Sequence, residues 1–237
     1  GPELDIAVDP LEGTNFAAKN LPGAISVIAI SNRNDLFNAP ESYMEKISYP
    51  KGIDHNAIDL DFSLKKNLSN LADSKNKKFE NLRICILDRP RHKKIIDEAK
   101  SLNIKVKLIS DGDVSGALLV TDEKYNIDLF LGTGGGPEGV LAASALDTYG
   151  CGFQGRFIFD TDELKKRANK MGINDFNKKY KLGEIVKGDS LFCATGITKG
   201  DLVNGLELRN NKIVVNTLIT HKSQNTKKIV TGEIDIK

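Results

Sequence analysis

Short apolar strands alternate with helices through the middle of this chain, and this alternation limits the possible folds more than any other feature of the sequence. Hydrophobic patterning predicts three strands and three helices here, with the strands at 82–87, 104–109 and 127–131 and the helices at 93–102, 114–120 and 137–148. Such alternation is typical of βαβ units in a parallel sheet. Ligands bind in the loops after the carboxyl ends of such strands, so functional residues are expected there.

The two ends of the chain are richer in strands. Before the alternating section, the pattern predicts strands at 4–8, 24–31, 37–49 and 58–62, a helix at 63–74 and a polar linker at 74–78. From residue 189 onward, an antiparallel meander is predicted from strands at 190–194, 202–208, 213–219 and 228–236. The expected fold class is α/β. The expected domains are a βαβ domain at 79–188 and another formed by 1–78 together with the 189–237 meander.

Composition excludes several classes of protein. The 237 residues are 40% hydrophobic and 28% charged, as in an ordinary globular protein. A net charge of only +2, from 34 basic and 32 acidic residues, argues against a nucleic-acid-binding protein. We found no apolar run of membrane-spanning length and no signal-peptide pattern, so no membrane role is expected. The three separated cysteines lack CxxC spacing, which argues against disulfides and zinc and favours a cytoplasmic location.

The first predicted strand ends in an acidic turn, Asp9-Pro-Leu-Glu12-Gly-Thr14. Two carboxylates three residues apart offer the oxygen ligands that suit Mg²⁺ or Mn²⁺. A threonine hydroxyl next to such a site can orient an attacking water. The alternative is an ordinary surface turn, because Asp, Pro and Gly are common in turns. This segment alone leaves both interpretations open.

Charged residues follow the two predicted strands at 82–87 and 104–109. Arg89, Arg91 and His92 lie where a strand meets a helix, and arginine side chains suit phosphate oxygens. In isolation, a solvated basic corner is the favoured interpretation of these three residues. Asp111 and Asp113 flank a glycine and could hold sugar hydroxyls or a second cation. Asp113 is also a preferred type of helix N-cap, and the two roles are compatible.

A glycine-rich segment, Gly132-Thr-Gly-Gly-Gly-Pro-Glu-Gly139, follows the predicted strand at 127–131 and leads into the predicted helix at 137–148. Consecutive glycines let the backbone approach an anion closely. The segment lacks GxxxxGK[ST], so it is not a Walker loop, and GxGxxG alone is a weak signal. Glu138 could be a metal ligand or could simply complement the helix dipole. Tyr43 and Lys46 add a phenol and an ammonium, although tyrosine in a strand usually serves packing, and the 194–201 turn has no assigned role.

Seven motifs together resemble one family, the class II fructose-1,6-bisphosphatases. In chain order they are DIAVDPLEGT, FNAPESYMEK, RPRH, DGDV, GTGGGPEGVLAA, QGR and ATGITKGDL, and the resemblance covers essentially the whole chain. It places the chain among lithium-sensitive, metal-dependent sugar and inositol phosphatases. It implies a layered α/β sugar-phosphatase fold with the active site between two sheet domains. It also implies a homo-oligomer that hydrolyses a small-molecule sugar bisphosphate, fructose 1,6-bisphosphate, with Mg²⁺ or Mn²⁺ in gluconeogenesis.

The resemblance also implies roles for individual residues. The metal-binding carboxylates would be Asp9, Glu12 and Glu138, and Thr14 would position the nucleophilic water. The substrate-binding residues would be Tyr43, Arg89 and Arg91 at the distal phosphate and sugar, Asp111 and Asp113 at the sugar, and Gly134 and Gly135 at the phosphate. Arg89 stands where lysine is frequent in the family, which keeps the charge and changes the donor geometry.

One departure from the family pattern leaves alternatives open. Family members carry roughly eighty further residues before the acidic turn, with additional metal carboxylates, about the size of a small half-domain. Without that stretch, poor metal binding is expected of the isolated chain. The alternative functions are an inositol or other sugar phosphatase, including one that acts on sedoheptulose 1,7-bisphosphate, and a non-catalytic sugar-phosphate-binding protein.

Overall fold

The computed structural model describes residues 1–236, which form two six-stranded sheets and seven α-helices. The strands are β1 (Leu4–Glu12), β2 (Ile25–Asn32), β3 (Tyr43–Tyr49), β4 (Arg83–Leu87), β5 (Lys105–Ile109), β6 (Leu129–Gly135), β7 (Gly152–Phe157), β8 (Tyr180–Lys181), β9 (Ser190–Gly196), β10 (Glu207–Arg209), β11 (Lys212–His221) and β12 (Thr226–Asp235). The helices are α1 (Thr14–Ala18), α2 (Leu64–Ser74), α3 (Lys93–Ser101), α4 (Asp113–Leu118), α5 (Gly136–Tyr149), α6 (Asp162–Lys170) and α7 (Leu182–Ile185). The predicted α/β class with two sheets is confirmed. None of the helices in residues 1–236 has the length and hydrophobicity needed to cross a membrane.

The first sheet is antiparallel throughout, with the order β1-β2-β9-β11-β10 and β12 paired to β11. Alternate side chains point to opposite faces of a strand. One face of this sheet therefore places Val27, Ala29, Phe192 and Leu218 in the core. The antiparallel pairing predicted for the end of the chain is confirmed, because β9 to β12 all pair antiparallel in this sheet. The predicted meander order is wrong, because β9 pairs with β2 and β11 and does not pair with β10.

The second sheet is mixed and has the order β5-β4-β6-β3-β7-β8. Strand β4 lies parallel to both β5 and β6, as the βα alternation predicted. Strand β3 pairs antiparallel with both β6 and β7. Helices α2 and α3 pack on one face of this sheet around Leu68, Ile84 and Ile96, and α4 and α5 pack on the other around Phe130 and Leu146.

Helix α5 lies between the two sheets and contacts strands of both. Most of its side chains are buried, and many are small, including Ala142, Ala143 and Ala145. A helix that is apolar on all sides has to be buried on all sides. Small side chains let both sheets approach the helix axis closely. Helix α5 therefore fixes the position of one sheet relative to the other.

The predicted strand at 58–62 is wrong, because these residues form turns. Side-chain amides bind the backbone groups that a neighbouring strand would otherwise bind. Asp59 N–H donates to Asn67 Oδ1 at 2.9 Å, and Leu60 N–H donates to Gln154 Oε1 at 3.1 Å. The apolar residues of this segment therefore reach the core without joining a sheet.

Two other predicted strands are shorter in the structure. In the 37–49 segment, β3 begins only at Tyr43, because Ser42 N–H turns back to Pro40 C=O at 2.8 Å. In the 202–208 segment, only the end belongs to β10. A Cβ on Gly205 would lie 2.6 Å from backbone atoms of the 194–201 turn, so this segment packs against that turn. Strands β7 and β8 and helices α1, α6 and α7 were not predicted.

The chain changes sheets twice. It passes from the first sheet to the second at Tyr43 and returns to the first at Ser190. The first change lies inside the predicted 1–78 unit. The domain boundaries at 78 and 188 stay predictions.

The packing of α4 on the second sheet can be tested at Gly116. A Cβ on Gly116 would lie 2.5 Å from Ile109 Cδ1 and 3.0 Å from Phe130 Cε2. Gly116→Ala is therefore expected to lower the free energy of unfolding by about 1–3 kcal/mol through overpacking, measured by urea denaturation.

Gly183→Ala is the matched control, since it also lies in a short helix but has no neighbouring atom within 4 Å of the added Cβ. This substitution should be neutral or stabilise by up to about 1 kcal/mol. Equal effects of the two substitutions would contradict the close packing of α4.

Candidate active site

The acidic turn is the end of strand β1. The register of β1 with β2 shifts between Asp9 and Glu12, so the strand is irregular where the two carboxylates lie. Asp9 Oδ1 accepts a hydrogen bond from Leu11 N–H at 3.0 Å, which fixes the turn. Gly13 has a φ of 81°, and helix α1 begins at Thr14, whose side chain is exposed. The turn is therefore ordered by its own hydrogen bonds.

The ring of Phe16 joins this turn to a second acidic turn. A Cβ would lie 2.9 Å from the ring at Gly13, 3.2 Å at Gly23 and 3.1 Å at Gly112, so only glycine allows these backbones to approach. Gly13 precedes Thr14, and Gly112 lies between Asp111 and Asp113. The apolar contact with Phe16 therefore places two polar turns from distant parts of the chain side by side.

Glu12 is only 4% exposed and has two different carboxylate oxygens. Oε1 accepts a hydrogen bond from Val114 N–H at 2.6 Å, whereas Oε2 is buried without a hydrogen-bond partner in the described residues 1–236. Burial raises the pKa of Glu12 to about 8, against the lowering effect of the Val114 hydrogen bond, and the charges of Asp113 and Asp9 raise it further. A carboxylate with a free, buried oxygen is suited to bind a cation.

Asp113 has the same asymmetry, produced by a different partner. The Lys46 ammonium forms an ion pair with Asp113 Oδ2 and donates a hydrogen bond to Gly135 C=O at 2.7 Å. Asp113 Oδ1 is buried and has no hydrogen-bond partner within the part of the chain that the structure describes. Lys46 was not among the predicted site residues. Its position in β3 could have indicated its burial, because Lys46 lies on the same face of the strand as the buried Met44 and Ser48.

The glycine run is the end of strand β6, which differs from the expected open loop between strand and helix. Gly132 to Gly135 pair with β3, and α5 begins at Gly136. A Cβ on Gly134 would overlap the Asp113 carboxylate, and one on Gly135 would overlap the Glu138 carboxylate. The glycines therefore make room for the protein's own anionic groups. A substrate contact by Gly134 or Gly135 stays a prediction.

The three predicted metal carboxylates lie in one neighbourhood. Glu138 is in the first turn of α5, and burial raises its pKa. The Lys46 charge lowers that pKa, and the charges of Asp113 and Asp9 raise it, as Asp9 also does for Glu12. Within residues 1–236, no three acidic, histidine or cysteine side chains already form a metal-binding group. The buried unpartnered oxygens of Glu12 and Asp113 nevertheless fit a bound cation and a polar ligand.

Asp111 connects the arginine segment to helix α1. Its Oδ1 accepts from Arg89 Nη2 at 3.3 Å. Its Oδ2 accepts from both the backbone N–H and the side-chain Nδ2 of Asn15, at 3.1 and 3.2 Å. Asn15 directly follows Thr14. The second acidic turn is thus bonded to the residue next to the predicted water-positioning threonine.

Arg91 and Tyr43 form an exposed pair near the carboxyl end of β6. Arg91 donates from Nε and Nη2 to Thr133 C=O at 2.8 and 2.6 Å. The centre of its guanidinium lies 4.9 Å from the centroid of the Tyr43 ring, which is a cation–π geometry. The Tyr43 side chain is 52% exposed. Two of the three predicted distal-phosphate residues, Tyr43 and Arg91, are therefore held in place and open to solvent.

His92, close to this pair, connects two backbone segments through its ring. Its Nδ1 is 2.7 Å from Leu87 C=O, and its Nε2 is 2.7 Å from Thr133 N–H. The arrangement requires a neutral ring that donates at Nδ1 and accepts at Nε2. Burial lowers the pKa of His92. Together with Arg91, it satisfies both backbone groups of Thr133.

Comparison with known proteins identifies one family. The family model described as bacterial fructose-1,6-bisphosphatase, glpX-encoded, matches residues 1–234. Similar relatives from Synechocystis sp. and Trichodesmium erythraeum are each 37% identical over 241 residues, which cover 96% of this chain and 70% of the relative. A relative from Microcystis aeruginosa is 36% identical with the same coverage. All three are named D-fructose 1,6-bisphosphatase class 2/sedoheptulose 1,7-bisphosphatase.

Acid should destabilise this chain in part through His92. The unfolded state takes up a proton near the ordinary histidine pKa of about 6.5. The folded state resists protonation, because burial lowers the pKa of His92. Stability contributed by the neutral ring is therefore present above about pH 6.5 and is lost as the pH falls below it.

His92→Gln removes the titrating ring. Between about pH 7 and pH 5, its free energy of unfolding should fall less than that of the wild type, measured by urea denaturation at each pH. An equal fall in both proteins would contradict a neutral His92 between Leu87 and Thr133.

Proposed function

This chain belongs to the bacterial, glpX-encoded fructose-1,6-bisphosphatase family, and we propose that its clustered carboxylates carry the hydrolysis of fructose 1,6-bisphosphate to fructose 6-phosphate and phosphate. It is a phosphoric monoester hydrolase of carbohydrate metabolism. One observation above all supports the proposed site. Two neighbouring carboxylates, Glu12 and Asp113, each keep one buried oxygen without a hydrogen-bond partner among residues 1–236. An empty hydrogen-bonding position of this kind is costly unless a ligand fills it.

The family is metal-dependent in general. We propose Mg²⁺ or Mn²⁺ as the metal, held by Asp9, Glu12 and Glu138, because these donors are all carboxylate oxygens. When bound, such a cation supplies charge neutralisation at the phosphate and lowers the pKa of a coordinated water. Burial raises the pKa of Glu12 to about 8, and a neighbouring cation would lower it by favouring the charged carboxylate.

The remaining residues would bind and orient the substrate. Thr14, exposed at the start of α1, would orient the attacking water through its hydroxyl. Asp111 and Asp113 would accept hydrogen bonds from sugar hydroxyls. Gly134 and Gly135, beside the Asp113 and Glu138 carboxylates, would let the reacting phosphate approach the start of α5. All of these groups surround the end of β6 and the two acidic turns.

The distal phosphate would bind Arg89 and Arg91, beside Tyr43. Arginine suits this role because its planar group donates two parallel hydrogen bonds to a phosphate. The anchoring of Arg91 on Thr133 C=O supports the assignment, because a held side chain loses little entropy on binding. Binding energy at the distal end would then orient the reacting end.

Sedoheptulose 1,7-bisphosphate is the second substrate that we propose. The names of the Synechocystis and Trichodesmium relatives include sedoheptulose 1,7-bisphosphatase. The exposure of Tyr43 at the distal end supports a site that accepts a longer sugar. We also propose a gluconeogenic role, a cytoplasmic location and a homo-oligomer, either dimer or tetramer.

The cation site is tested by Glu12→Gln. The amide keeps an acceptor oxygen for Val114 N–H but removes the negative charge. Phosphate release from fructose 1,6-bisphosphate should fall by about 100-fold or more, with the fold retained by circular dichroism.

Asp97→Asn, the same type of change at an exposed residue of α3, should keep the wild-type rate. Full turnover by Glu12→Gln at saturating Mg²⁺ would remove Glu12 from the proposed cation site.

The distal-phosphate site is tested by Arg91→Ala. Loss of a charge-assisted contact should raise the KM for fructose 1,6-bisphosphate by about 10- to 100-fold. The KM for fructose 1-phosphate, which lacks the distal phosphate, should change little.

Arg167→Ala, at an exposed arginine of α6, serves as the control. Equal KM increases for the bisphosphate and the monophosphate would place Arg91 elsewhere in the reaction, and the same pair of substrates separates a bisphosphatase from a monophosphatase.

A further inference from the structure

Lys46 is a buried lysine at the centre of the candidate site. Its side chain is 1% exposed, and its ammonium lies between the Asp113 carboxylate and Gly135 C=O. Its aliphatic stem is enclosed by the first turn of α5, since a Cβ on Gly139 would lie 3.3 Å from Lys46 Cδ. A buried ion pair is weak grounds for stability, because desolvation offsets most of the attraction. The burial of Lys46 therefore suggests a role other than stability.

The ammonium makes Asp113 chemically different from Glu12. Both carboxylates are held at one oxygen and leave the other free. Glu12 is held by a neutral backbone N–H and keeps its full negative charge when ionised. Asp113 is held by a cation, so the pair of Asp113 and Lys46 carries no net charge. A free oxygen in a neutral pair is suited to accept a hydrogen bond from an uncharged hydroxyl and is a poor ligand for a divalent cation.

The position of Lys46 also affects the neighbouring carboxylate. The Lys46 charge acts on Glu138 as well as on Asp113. A divalent cation that approached Asp113 would be repelled by the ammonium at close distance. Glu12 Oε1 is held by the neutral Val114 N–H, so a cation at Glu12 would approach a carboxylate that is not paired with the ammonium. The fixed charge of Lys46 therefore makes the Asp113 side of the acidic cluster less favourable for a divalent cation than the Glu12 side.

We propose that Lys46 is a positioning residue that reserves Asp113 for a sugar hydroxyl and excludes divalent cations from it. The proposal rests on the proposed function, in which Asp9, Glu12 and Glu138 hold the cation. A lysine that only joined α4 to β6 would affect stability and leave metal binding unchanged. The two roles therefore differ in the number and affinity of bound cations.

The test compares Mn²⁺ binding to the 237-residue chain, followed by electron paramagnetic resonance of free Mn²⁺. Lys46→Met removes the charge and keeps most of the stem, and Lys46→Arg keeps the charge as the matched control. We expect Lys46→Met to bind one additional Mn²⁺ per chain, or to bind Mn²⁺ at least tenfold more tightly, with a raised KM for fructose 1,6-bisphosphate. We expect Lys46→Arg to bind Mn²⁺ like the wild type. Identical Mn²⁺ stoichiometry and affinity in Lys46→Met and the wild type would overturn the proposal.

A second measurement covers the case in which Lys46→Met folds poorly without metal. Mn²⁺ should then raise the Tm of this variant by more than it raises that of the wild type, because the Asp113 carboxylate, no longer neutralised by Lys46, has gained a cation. An equal or smaller rise would overturn the proposal. Adding Asp113→Asn to Lys46→Met should abolish the extra Mn²⁺ binding. The wild type alone tests the proposed function, which fails if this protein neither binds Mn²⁺ nor releases phosphate, whatever Lys46→Met does.

Discussion

The hydrogen bond between Val114 N–H and Glu12 Oε1, 2.6 Å long and buried, joins the two halves of the candidate site. Glu12 ends a strand of the first sheet, and Val114 lies in the first turn of α4, which packs on the second. The Phe16 ring reinforces this junction through close contacts with Gly13 and Gly112. Two acidic turns about a hundred residues apart in sequence are thereby brought together. Without this junction, each turn would be an ordinary surface feature.

Burying these carboxylates opposes folding. The pKa of Glu12, about 8, expresses how strongly its surroundings disfavour the charged form. Elsewhere the chain pairs its buried acids, as Asp128 does with Lys75 and Lys77. Within the site, Glu12 has no cationic partner among residues 1–236, and its second oxygen is left free there. Proteins keep such locally unfavourable arrangements at functional sites, where a ligand completes them.

Local sequence patterns could predict the parts of this fold that local interactions determine. The βα alternation correctly predicted parallel pairing around β4, and turn residues with carboxylates marked both acidic turns. Errors arose where a distant residue decides the outcome. Residues 58–62 lack a strand partner because Gln154, 94 positions from Leu60, binds the backbone instead. The glycine run resembled a loop because its pairing with β3 could not be inferred from local sequence. Lys46 was noted as an ammonium without a site role for the same reason, since its partner Asp113 lies 67 positions away.

A bisphosphate hydrolase of this kind faces a problem of chemical selectivity inside one small site. Cations and sugar hydroxyls both bind carboxylate oxygens, and the groups proposed here for the cation and for the sugar hydroxyls at Asp111 and Asp113 are all carboxylates. The type of residue therefore cannot tell the two functions apart. What differs is the partner of each carboxylate: a backbone N–H for Glu12, an ammonium for Asp113, and both an arginine and Asn15 for Asp111. The charge of that partner sets whether the remaining oxygens favour a cation or a neutral donor. Chemically identical carboxylates can in this way acquire separate roles, because each has a different hydrogen-bonding or ion-pairing partner.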